Sequence, residues 1–293
     1  MEQQKNWHDK IYKPLLLLPA IFLLFSIVYL INFNIKNSDI IYKDVSLTGG
    51  TTITVFNKNV NIDDVKKSLS VQFPDINIRK ISEFRSGSQK GFILETKANV
   101  EEISSSLENY LGYTLTQENS SIEFSVAALS TGFYQQLRLA IIIAFILMAI
   151  VVFLIFKTFV PSLAVILSAF ADIIMTIVVV DMLNITLSIA GIVAFLMLIG
   201  YSVDTDILLT FRLIKRKDDS TNQRLFSAFK TGITMTLTSI AAVGVSLIII
   251  YNISDVLRQM FTILMIGLSF DIFNTWVTNA SILKWYIEKK EAK

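Results

Sequence analysis

Six runs of apolar residues, each about long enough to cross a bilayer, constrain this chain more than any other feature. They are Pro14–Phe33, Leu137–Phe156, Ser162–Val180, the apolar part of Leu187–Lys217, Thr231–Tyr251 and Phe261–Tyr286. A hydrocarbon core about 30 Å thick is crossed by roughly 20 residues of helix, and inside it every backbone N–H and C=O must be bonded within its own segment. Each run is therefore expected to be a transmembrane helix. Pro14–Phe33 is longer than the apolar region of a cleaved signal peptide and lacks its small-residue end. Only 17% of the 293 residues are charged, against about 25% in a soluble domain.

Between the first and second runs the composition changes. From Lys36 to Glu123 there are 10 Lys or Arg and 12 Asp or Glu, the balance of a water-exposed domain. Leu47–Phe56 is rich in β-branched residues and predicts a strand. Asn61–Gln72 has apolar residues at helical spacing behind an Asn N-cap. Ile76–Phe84 alternates as a strand, Gly91–Thr96 is a short strand, Asn99–Leu111 is helical with Asn99 as cap, and Ile122–Val126 is a last strand. The order β-α-β-β-α-β is that of a ferredoxin-like α+β fold. The expected division is a tail at 1–13, a first helix at 14–33, an external domain at 34–132, a five-helix bundle at 133–288 and a second tail at 289–293.

The fourth run is interrupted by Asp204 and Asp206, and Asp172 and Asp271 lie inside the third and sixth. A carboxylate at the centre of a membrane helix costs roughly 2.5–3.5 kcal/mol on insertion scales, so such residues normally face a bundle interior or a wet path. Asp204 and Asp206 stand 6–8 residues before Arg212, roughly 9–12 Å of helix, so a solvated helix end remains an alternative for them. Asp271, Asn274, Thr275 and Thr278 share one helical face. The four acids, supported by Thr205, Asn274 and Asn279, are the candidate proton or ion relay; polar glue between helices is the alternative for Asn274 and Asn279. The threonines of the fifth run, with Gly232 and Gly244, read as packing.

Several function classes are excluded. The chain has no Cys, and its single His, His8, lies in the polar N-terminal tail, so thiol catalysis, disulfides, Cys or His metal sites and a Ser-His relay are not expected. A formal charge of +2 argues for no nucleic-acid partner, and nothing in the sequence calls for a cofactor. Lys and Arg in short loops place Lys5, Lys10, Lys13, Lys157, Arg212, Lys215, Arg216, Lys217, Arg224, Lys230, Lys284, Lys289, Lys290 and Lys293 on one side and essentially Arg258 on the other. Both termini are thus expected in the cytoplasm, with residues 34–132 outside.

The residues Leu47-Thr48-Gly49-Gly50-Thr51, Ala171-Asp172-Ile173-Ile174 and Gly200-Tyr201-Ser202-Val203-Asp204-Thr205-Asp206, within six helices and one large domain after the first, resemble the SecD/SecF family of the resistance-nodulation-division superfamily. The resemblance is to archaeal members more than bacterial ones, whose acid stands at the position of Thr205. It implies a non-enzymatic role in protein export across the cell membrane: pairing with a SecD-like subunit beside the Sec translocation channel, contact of the external domain with the translocating polypeptide, and drive from an ion gradient. Two other readings are a half-transporter for lipid or drug and a scaffold for the SecD-like subunit without ion coupling. Intramembrane aspartyl proteases are dissimilar, since they need Gly-x-Gly-Asp where this chain has Gly267-Leu268-Ser269-Phe270-Asp271.

Overall fold

The computed structural model describes residues 12–57, 59–82, 88–125, 127–215, 220–251 and 254–291. Most of the N-terminal tail with His8, Phe84, Val126, Arg216, Lys217, Asn252 and Lys293 lie outside the described residues. Among those described, six helices are long and apolar enough to cross a membrane. They are α1 (Leu17–Asn37), then, after the α+β domain, α5 (Ala127–Phe156), α6 (Phe159–Met182), α7 (Ile189–Lys215), α8 (Thr221–Ile250) and a sixth span that begins with α9 (Asp255–Phe273). Helices α5 and α8 each start ten residues ahead of their apolar runs, because polar residues can extend a helix beyond the hydrocarbon. The sixth span is not one regular helix. It passes through a π-helix, Asn274–Asn279, before resuming as α10 (Ala280–Glu291).

The domain between α1 and α5 holds a short helix α2 (Val45–Thr48), strands β1 (Gly50–Val55), β2 (Asn77–Ser82), β3 (Gln89–Thr96) and β4 (Ser120–Ser125), and helices α3 (Ile62–Leu69) and α4 (Val100–Leu111). The strands form one antiparallel sheet in the order β2-β3-β1-β4, which with the β-α-β-β-α-β sequence is the ferredoxin-like arrangement. Asn61 caps α3 by accepting from the Asp63 N–H at 3.1 Å. Asn99 also occupies an N-cap position, but its side chain makes no capping bond.

The first strand begins later than its β-branched run suggests. Leu47 and Thr48 belong to α2, and a reversal at Gly49 (φ 79°) and Gly50 (φ 140°) leads into β1. A Cβ on Gly50 would stand 2.3 Å from the Thr96 carbonyl oxygen, so the close approach of β1 and β3 requires glycine there. Ile53, Val55, Phe92 and Leu94 from the sheet meet Val65, Leu69, Ile103 and Leu107 from the two helices in one core.

The domain is tied to the bundle by hydrogen bonds as well as by its two connecting chains. Asp44 N–H donates to the Leu187 carbonyl (3.0 Å), and Leu187 N–H donates to that of Tyr42 (2.6 Å). Tyr134 on α5 donates to Asp39 at 3.1 Å. Gln259 on α9 holds the same connection from beneath, donating to the Thr186 carbonyl and accepting from Ser188. Within the bundle, α6 and α7 are mostly buried, whereas α5 and α8 expose most of their apolar surface.

Candidate functional site

At the centre of the bundle α6, α7 and the sixth span turn polar stripes toward one another. On α6, Ser168, Asp172 and Thr176 recur every four residues, so they share one face. Ser202 and Asp206 have the same spacing on α7. The sixth span contributes Asp271, Asn274, Thr275, Thr278 and Asn279. Asp172, Asp206 and Asp271 are each 0% exposed.

The π-helix gives the sixth span this density of inward groups. Its backbone bonds run from i+5 to i, as where Ala280 N–H donates to the Thr275 carbonyl. The wider turn brings Asn274, Thr275, Thr278 and Asn279 all into the interior, and such segments are often found at functional sites.

Each acid has donors aimed at it. Asp172 accepts from Ser202 Oγ at 2.5 Å and from Asn274 Nδ2 at 2.7 Å, while Thr278 donates to Asn274 Oδ1 at 3.2 Å and orients that amide. Asp206 Oδ1 accepts from Asn279 Nδ2 at 2.7 Å and Thr275 Oγ1 at 2.9 Å. Asp206 Oδ2 has no hydrogen-bond partner, although Ser168 is close enough to act on it. Asp271 contacts Thr236 of α8 at 3.3 Å and Thr275 at 3.2 Å, with Ser202 also within reach. One hydroxyl, that of Thr275, therefore links Asp271 to Asp206, while Ser202 is bonded to Asp172.

The Thr275 link limits where protons can be. A hydroxyl carries one proton, so Thr275 can donate to Asp206 or to Asp271 but not to both at once. Both contacts are hydrogen bonds only when one of the carboxyls itself donates. Among the described residues no group of three or more His, Cys, Asp or Glu has the arrangement of a metal site.

Asp204 is not part of this cluster. Two residues before Asp206, it is turned by about 200° around the helix and is exposed on the opposite face of α7. Thr205 is buried, but its hydroxyl bonds back to the Tyr201 carbonyl at 3.4 Å, and its methyl group lies beside Gly232 of α8. Asn274 and Asn279, for which interhelical glue and site support were both open, bond directly to Asp172 and Asp206. Sequence reasoning gave no role to Ser168 or Ser202 and read Thr236, with the other threonines of its helix, as packing. The first two stand four residues before Asp172 and Asp206, a spacing that could have found them; Thr236 carries no such signal.

A membrane protein of six helices, with an α+β domain after the first and buried acids where the third, fourth and sixth meet, is the class that fold and site define. The profile described as "Protein export membrane protein SecD/SecF, C-terminal" matches residues 106–289. The "Protein-export membrane protein SecF" of Methanocaldococcus jannaschii is 39% identical over 290 residues, covering 97% of this chain and 99% of that one. Its counterpart in Pyrococcus furiosus is 34% identical, covering 96% and 93%. The crystal structure of SecDF from Thermus thermophilus, described as a translocon-associated membrane protein, superposes with a TM-score of 0.74 at 16% identity, over 98% of this chain and 39% of that chain. SecDF in a super-membrane-facing form gives a TM-score of 0.59, also at 16% identity, over 100% of this chain and 40% of that one. The chain belongs to the SecD/SecF family, and it is a multi-pass membrane protein.

Proposed function

We propose that this chain is a non-enzymatic accessory subunit of protein export across the cell membrane, and that Asp172, Asp206 and Asp271 pass protons within it. The export role rests on kinship along almost the whole chain with proteins named for protein export. The relay rests on one observation, the single Thr275 hydroxyl in contact with two carboxyls. A proton on either acid satisfies both contacts, so moving it from one to the other inverts the donor pattern. Each pattern favours its own packing of α7 against the sixth span, and this is how ion movement could bias a conformational equilibrium.

The partners follow from the same reading. The SecDF chain is more than twice as long as this one, since the match spans 39% of it, and a SecD-like subunit would supply the remainder. Met197, Gly200, Tyr201, Asp204 and Phe211 make one exposed stripe along α7. A lone carboxylate there would face lipid at a cost of roughly 2.5–3.5 kcal/mol, which a polar partner helix would relieve. The Sec channel and the translocating polypeptide complete the assembly. Both termini are cytoplasmic and residues 34–132 external, as supported by Lys and Arg in the short loops on one side.

Asp172→Asn and Asp206→Asn test the reading, with export of a secreted reporter and co-purification of the SecD-like subunit measured on the same membranes. The expected result is an export rate at least tenfold lower with unchanged co-purification. Wild-type export in both variants would refute the relay and favour a scaffold.

A further inference from the structure

A second polar site lies away from the buried acids, at the end of the bundle that faces the α+β domain. Asp181, in the last turn of α6, is 2% exposed, and neither of its carboxylate oxygens has a hydrogen-bond partner. The Tyr42 backbone amide lies close to it. Asp181 lines a cavity of about 460 Å³ together with Tyr29, Phe33 and Lys36 of α1, Tyr42 and Asn184. The volume falls within the range of small-molecule sites, about 300–1,000 Å³.

The lining has two opposite charges that do not neutralise each other. Among the described residues no ion pair joins Asp181 to Lys36 or to any other cation. Asp39, the other acid nearby, is held by Lys43 at 2.7 Å and by Tyr134. Around Asp181 stand aromatic rings, with Phe33 stacked on Tyr29 at 6.0 Å and edge-on to Tyr42 at 4.8 Å between centroids. Rings beside a carboxylate recognise an organic ammonium through cation–π attraction and charge pairing. Lys36, exposed on the same cavity, suits a phosphate.

The geometry points to a site for a zwitterionic phosphoethanolamine group, with the ammonium on Asp181 among the rings and the phosphate on Lys36. Its position at the end of two transmembrane helices, where aromatic residues lie at headgroup depth, makes a membrane aminolipid the occupant. This site is independent of the export reading.

The test uses the purified full-length protein in vesicles of phosphatidylethanolamine and phosphatidylglycerol in equal parts, with co-retained lipid counted by native mass spectrometry. Wild type is expected to retain phosphatidylethanolamine over phosphatidylglycerol by about ten to one. Asp181→Asn is expected to abolish that preference, and Lys36→Gln, on an exposed side chain whose loss does not threaten folding, to lower it several-fold. Equal retention of the two lipids by wild type, or an unchanged preference in both variants, would overturn the assignment. Free O-phosphoethanolamine separates the sources: efficient displacement of the lipid indicates a soluble ligand, and retention despite an excess of it a membrane lipid.

Discussion

Replacing Thr275 with valine isolates the link between two acids without removing either. Valine has nearly the same shape, so the interior around Asp206 and Asp271 stays filled, and only the hydroxyl is lost. That hydroxyl stands 2.9 Å from Asp206 Oδ1 and 3.2 Å from Asp271 Oδ1. With a proton on one carboxyl it donates to one acid and accepts from the other, so two hydrogen bonds are lost, one of them charge-assisted, about 2–4.5 kcal/mol together. Asp206 keeps Asn279 and Asp271 keeps Thr236, which limits the cost to that range. The fold should therefore survive with measurably lower unfolding free energy in detergent. Export should fall at least tenfold, equivalent to about 1.4 kcal/mol of barrier, because no group remains to carry a proton between Asp206 and Asp271. Thr275→Ser should restore both export and stability in part. The assay pairs the export rate of a secreted reporter with denaturant unfolding of the purified protein. A folded Thr275→Val protein exporting at the wild-type rate would show that the hydroxyl is interhelical glue and nothing more.

Two further perturbations test the surroundings. Asp204→Leu should leave the unfolding free energy of the isolated chain within about 0.5 kcal/mol of wild type, as for an exposed substitution, yet reduce co-purification of the SecD-like subunit; unchanged co-purification would mean that another face meets the partner. Gly232→Ala places a Cβ 2.5 Å from Trp276 Cζ2 and 3.2 Å from Thr205 Cγ2, so the indole must move. Overpacking of this kind costs about 1–3 kcal/mol, seen as reduced denaturant stability with a shifted tryptophan emission, and wild-type values for both would contradict the packing of α8 on the π-helix.

Much of the fold was legible because its signals are local. An apolar run of about twenty residues has one way to cross a bilayer with its backbone satisfied, and Asn61 ahead of Ile62, Val65 and Leu69 marks the start of α3 wherever the helix packs. Gly49-Gly50 was the exception within the domain: β-branched Thr51 and Thr52 favour a strand, but where it starts depends on how near Thr96 comes. The site was legible by chemistry and not by angle. Asp172, Asp206 and Asp271 could be suspected from the cost of carboxylates in hydrocarbon, and so could Asp204, because insertion cost registers depth and is blind to which side of the helix a residue occupies. Two residues of separation put Asp204 and Asp206 on opposite faces.

The sequence by itself determined the number of spans, the interposed α+β domain and the presence of acids at membrane depth, since each depends on hydrophobic length or on the period of a single segment. Only the tertiary structure decided which acids meet, that Thr275 links two of them, and that Asn274–Asn279 relaxes into a π-helix. Those outcomes depend on the rotation of α6, α7 and the sixth span about their own axes, which is set by side chains packing between segments far apart in the chain, as when Asn274 reaches Asp172. Asp181 shows the same division: the sequence places an acid at the end of an apolar run, and the fold encloses it among aromatic rings.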